Sequence, residues 1–149
     1  YMETELSDGE KLMNSLIPFA QQQLEKYGGF APFAAMLTKD GEAHLGMADP
    51  DKLENTEGVA LSQESIDRII SAHRIEVEKD NLLASAICFD TSVSRDGKNK
   101  ESAVAVAIEE ENGKSVTVFI PYTKNFFGKI KYGDLFGSQK EKNIFINLN

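Results

Sequence analysis

Cysteine occurs once, at Cys88, and histidine twice, at His44 and His73. One cysteine excludes an intrachain disulfide, and two histidines far apart in sequence leave no local ligand cluster with the spacing of a structural zinc site. There is no Asn-x-Ser/Thr acceptor and no charged-then-apolar leader, which together predict a reducing, cytoplasmic setting. No apolar run approaches the roughly 20 residues that cross a bilayer. Basic residues are the minority, 16 Lys and Arg against 24 Asp and Glu, for a net charge of −8. Phosphate backbones and anionic lipids are bound largely through Lys and Arg. The expectation is therefore no nucleic-acid and no membrane partner, with a basic protein electrostatically allowed. The deficit is uneven: Tyr1 to Asp80 holds 16 acidic and seven basic residues, net −9, and Asn81 to Asn149 holds eight and nine, net +1.

The chain has 149 residues, 41% of them hydrophobic and 27% charged. At this length about two thirds of the unfolded surface can be buried, so one domain from Met2 to Asn149 can hold a core without staples. Ser7 and Glu10 have capping-box spacing, and Leu12, Leu16, Phe19, Ala20, Leu24 and Tyr27 follow at helical intervals, predicting a helix from about Asp8 to Tyr27 ended by Gly28-Gly29. Pro18 predicts a kink there, or two short helices. Residues 32–38 and 43–48 flank an Asp40-Gly41 turn and read as a hairpin. Its first strand is apolar on both faces, as suits an interior position, and Gly46 predicts a bulge or close approach. Asp49 to Leu61 reads as an exposed loop. Ser62 is the expected cap of a second helix with a stripe of Ile66, Ile69, Ile70, His73 and Val77; Ile75, off that stripe, predicts cover on a second side.

Asn81 to Tyr122 reads as three antiparallel strands, the last two joined at Asn112-Gly113 through an expected type I′ turn. Ala84, Ala86 and Cys88 alternate with Leu83, Ser85, Ile87 and Phe89, and Ala103, Ala105 and Ala107 with Val104, Val106 and Ile108. A row of alanines admits helices close to the sheet, so two helices are expected on one face, the Val/Ile row on the other being covered by the C-terminal segment or a second subunit. Residues 125–149 read as a strand and an aromatic-rich tail. The expected fold class is α+β: an antiparallel sheet of about five or six strands with two main helices, in the order α-β-β-α-β-β-β(-β). That order, over Ser7 to Tyr122, resembles roadblock and profilin-like small domains. The resemblance implies a central antiparallel sheet that carries helices and often pairs across a dimer interface; it carries over no binding residue.

Chemistry is sparse. Gly128-Lys-Ile-Lys-Tyr-Gly133 has the glycine spacing of a phosphate loop, yet Asp134-Leu135 stands where Lys-Ser/Thr is needed. Asp49, Asp51 and Glu54 lack the glycine of a calcium loop and read as solvated. Cys88, mid-strand, has no local base or helix N-terminus to activate it and reads as a small buried hydrophobe. His44, His73 and Tyr122 are candidates for a pocket if the fold brings them together; separate structural roles are the plainer reading. Glu109, Glu110 and Glu111 form an acidic hairpin tip that either deters aggregation or meets a basic partner. Phe126 and Phe127 are either core or an interface anchor. No catalytic residue, metal ligand set or cofactor is expected. The expected function is a non-enzymatic bacterial protein-interaction domain, of immunity or adaptor type, with an acidic partner-binding face and possible homodimerisation. The alternative is a small-molecule binder or enzyme with its pocket between helices and sheet.

Overall fold

A computed structural model describes residues 6–47 and 59–146. The acidic run at Asp49, Asp51 and Glu54 lies outside them. The order is α1 (Asp8–Tyr27), β1 (Phe33–Thr38), β2 (Ala43–Met47), α2 (Val59–Glu78), β3 (Leu82–Val93), β4 (Glu101–Glu110), β5 (Ser115–Lys124), β6 (Ile130–Tyr132) and β7 (Phe136–Gln139). The strands form one antiparallel sheet in the spatial order β2-β1-β3-β4-β5-β6, with β7 also on β5. The fold is α+β as expected. Among the described residues the count reaches seven because the last strand is split, β6 pairing Tyr122 to Lys124 and β7 pairing Val116 to Phe119.

Ser7 and Glu10 form the capping box, and α1 ends at Gly28 in the left-handed conformation. Pro18 does not divide it: the helix is one element of 20 residues. The second helix begins at Val59, so Ser62 lies inside it and is not its cap. Ile75 is exposed rather than covered on a second side. Gly46 pairs Ala34 in regular register; the irregularity of this region falls between Leu37 and Thr38 on the side facing β3.

The helices lie on opposite faces of the sheet, which corrects the expectation of two on one face. Leu12, Leu16, Ala20 and Leu24 of α1 share a core with Ala84, Ala86 and Cys88 of β3 and Val104, Val106 and Ile108 of β4. Ile69, Ile70 and Val77 of α2 pack with Ala34, Ile87, Phe89 and Ala107, and the tail residues Ile144 and Phe145 complete that layer. Register explains the arrangement. Ala86 pairs Ile108 and Cys88 pairs Val106, so the small residues of one strand sit beside the large residues of the next on each face. The Val/Ile row that suggested a second subunit is dry beneath α1.

The first turn of α1 is pressed onto β4. A Cβ added at Gly9 would stand 2.2 Å from Ile108 Cγ2 and 2.9 Å from Glu110 Oε2. Gly9→Ala is therefore expected to destabilise by about 1–3 kcal/mol, because the overlap meets a packed strand. Urea unfolding measures it, and a variant as stable as the parent would refute the close approach.

Three hairpins use one turn design. In each, a strand-end amide donates across a three-residue loop that closes on a glycine of positive φ. At Asn112-Gly113, Glu110 N–H donates to Lys114 O and Gly113 N–H to Glu110 O, at 2.9 and 3.0 Å. Gly113 has φ 109° and Asn112 is not left-handed. The expected type I′ turn is thus a three-residue loop with a glycine bulge. Thr38 to Glu42 and Asn125 to Lys129 repeat the pattern.

Candidate functional site

The acidic triplet is two structural carboxylates and one surface one. Glu109 and Glu110 are only 2% and 3% exposed. Glu110 Oε2 accepts the Gly9 N–H at 3.2 Å, at the start of α1, where a carboxylate suits the helix dipole. Glu109 accepts from Lys140 Nζ at 2.6 Å and from the N–H groups of Asn143, Ile144 and Phe145 at 2.9 to 3.2 Å. Burial alone would raise its pKa; the Lys140 ammonium and the tail amides outweigh that and hold it below the ordinary glutamate value. Glu111 is exposed and pairs with Lys39. The expected acidic partner-binding tip at Glu109, Glu110 and Glu111 is corrected accordingly, since two of the three carboxylates are used inside the fold.

The pocket candidates do not form one site. Tyr122 belongs to the α1 layer and donates its hydroxyl to Asp90 Oδ1 at 2.6 Å. Burial pushes the Asp90 carboxyl up, against the hydrogen bond from Tyr122. His73 lies across the sheet in the α2 layer, its Nδ1 2.7 Å from Ser85 Oγ. Desolvation there lowers its pKa from 6.5 to about 4, although Glu109 and Glu76 draw it upward. His44, opposite Met36 on β2, meets Thr38 Oγ1 at 3.2 Å instead. The carboxylates of Asp40 and Glu42 and the His44 ring approach within 4.8 Å of one another. All three are exposed, and Asp40 Oδ1 already accepts from the Thr38 hydroxyl and the Glu42 amide. Between α2, the sheet and the tail lies a cavity of about 190 Å³. That is below the roughly 300–1,000 Å³ of ordinary ligand sites, and its carboxylate, Glu109, is fully engaged. Cys88 is buried and desolvation pushes its thiol up to about 12, so it is inert at neutral pH.

Phe126 and Phe127 are where the structure departs most from an ordinary surface. They are 97% and 87% exposed, and their rings meet edge to face at 5.6 Å. Both occupy the turn between β5 and β6. Asn125 N–H donates to Lys129 O and Gly128 N–H to Asn125 O, while Asn125 Oδ1 accepts from the Phe127 and Lys129 N–H groups at 2.8 and 2.9 Å. Four of the five amides from Asn125 to Lys129 are therefore bonded inside the turn. The rings stand outward on an ordered support and are not core, which settles one side of the sequence alternative.

The β3–β4 loop ends beside this turn, because Val93 pairs Glu101 and Ser102 pairs Tyr122. Residues 94–101 and 124–134 at this end of the sheet contain six basic side chains, Arg95, Lys98, Lys100, Lys124, Lys129 and Lys131, against Asp96, Glu101 and Asp134. Arg95 is committed to Glu101 and lies over the Phe136 ring, and Lys124 Nζ donates to Gly28 O. An open trough of about 840 Å³ runs between the loop and the hairpin stem, with Lys100, Thr123 and Lys131 on its walls. The run from Gly128 to Gly133, with its phosphate-loop spacing, forms this stem as strand β6. An acidic chain thus carries a locally basic, phenylalanine-tipped end. Composition could not show this, since it depends on which loops meet. Among the described residues, no helix is long and apolar enough to cross a membrane. No family model, curated protein or solved structure matches the chain.

Proposed function

We propose that this protein is a non-enzymatic interaction module that docks through the loop end of its sheet, with Phe126 and Phe127 as the anchor. The observation that carries the reading is the near-complete exposure of both rings on a turn whose own hydrogen bonds are satisfied. Two aromatic side chains left in water forgo about 1.5–3 kcal/mol each that burial would return. Large aromatics are also the residues most often found at the centre of binding hot spots. The non-enzymatic part is supported by the engagement of the reactive groups: Cys88 is buried, Glu109 is saturated and His73 is held neutral at physiological pH. An immunity-type or adaptor role falls within this class, and the acid of the helical half leaves a basic protein as a possible second partner.

Affinity capture from the native host tests the docking surface, comparing the parent with a Phe126→Ser/Phe127→Ser variant. Both positions are exposed, so thermal unfolding is expected to stay within about 0.5 kcal/mol of the parent. Binding that depends on the tip is expected to weaken by about 2 kcal/mol or more. Capture of the same partner equally well by parent and variant, with no other binding lost in the variant, would refute this surface as the anchor.

A further inference from the structure

We infer that the surface on which the phenylalanine tip docks is an anionic lipid layer; the inference rests on the docking reading above and names its partner. The tip is convex and two residues wide. Phenylalanine rings bury roughly 150–250 Å² each, well short of the roughly 800 Å² that each side of a stable protein interface contributes. A protein partner would have to gain the rest from the flanks, which bear Lys100, Lys129 and Lys131, and would have to strip water from those amines. A headgroup layer imposes neither demand. It accepts a protruding apolar point, and lysine stems lie along the interface while their ammonium groups stay hydrated among phosphates.

The turn itself suits such an environment. A backbone amide carried into a lipid interface without a partner is costly, and Asn125 removes most of that cost by accepting from both Phe127 and Lys129. The net charge of −8, the ground on which no membrane partner is expected from composition, opposes binding only at long range. Near the surface the Debye length is about 8 Å at physiological salt, so the basic end dominates once the tip is in contact.

The test is flotation of the full chain with vesicles of phosphatidylcholine alone and with about a third phosphatidylserine. The parent is expected to float with the anionic vesicles and to be released by salt. Phe126→Ser/Phe127→Ser is expected to weaken partitioning by about a hundredfold. Lys100→Gln with Lys129→Gln is expected to weaken it by about twenty-five-fold, about fivefold for each lysine. Absence of flotation, equal flotation of the Phe variant, or equal binding to neutral vesicles overturns the inference. If flotation is absent while host capture still depends on Phe126 and Phe127, the partner is a protein and the docking reading stands. If neither depends on the tip, both readings fail.

Discussion

Glu109→Ala is expected to destabilise the protein by about 3–5 kcal/mol. The substitution removes the counter-charge of Lys140, whose side chain is only 14% exposed and keeps only the Glu141 carbonyl as acceptor, and leaves the amides of Asn143, Ile144 and Phe145 without their acceptor. Ile144 and Phe145 cover the α2 face of the sheet, so the damage extends from an electrostatic defect to lost apolar cover. Glu109→Gln keeps one acceptor oxygen and the volume of the side chain, and is expected to cost less. The difference measures the charge. Chemical unfolding gives both values, and a loss under about 1 kcal/mol for the alanine variant would show that the tail does not depend on this carboxylate. The same bonds set a pH dependence. Because the folded pKa lies below the ordinary 4.5, the unfolded chain takes up the proton more readily. The stabilisation is complete above that value and is lost as pH falls through the folded pKa. Glu109→Gln is expected to abolish this acid-dependent part.

Elements with a local physical cause were legible in sequence. Ser7 and Glu10 mark the start of α1 through groups three residues apart, and Asp40-Gly41 and Asn112-Gly113 mark turns because glycine alone adopts the required φ cheaply. What depends on the pairing of distant strands was not. Alternation within β3 and within β4 is visible in each strand separately, but setting Ala86 beside Ile108 requires their register. That register decides which face each alanine row joins, and so that the helices take opposite faces. Glu109 is the same lesson at a site. Three consecutive glutamates next to an Asn-Gly turn resemble a solvated tip, and nothing local shows that the chain returns some 35 residues later to place three amides on one of them. Phe126-Phe127 did carry a local signal: the spacing Asn-x-x-Gly brackets a turn, which puts both rings at its apex. Their lysine surroundings come partly from the β3–β4 loop and needed the fold.

His73 sets a second acid-sensitive step that is separable from that of Glu109. It sits on α2 against Ser85, buried, with Glu109 and Glu76 the carboxylates near enough to favour its charged form. Desolvation outweighs them, and its folded pKa of about 4 lies below the ordinary 6.5. Between those values the unfolded chain binds a proton that the folded chain refuses. Stability is therefore complete above about 6.5, declines as pH falls toward about 4, and gains no further loss from this group below that. Across the window the cost is about 3 kcal/mol. His73→Leu removes the titration but leaves Ser85 Oγ without its partner, which costs about 1–3 kcal/mol at neutral pH. The variant is thus expected to be weaker than the parent at pH 7 and flatter between pH 6.5 and 5, a range above the fall due to Glu109. Proton NMR of the imidazole resonances reads the site directly, and the variant assigns the signals because only His44 remains. A His73 resonance that titrates near 6.5, or a variant whose stability slopes with pH as the parent's does, would show that the imidazole is hydrated and that α2 does not seal this part of the sheet.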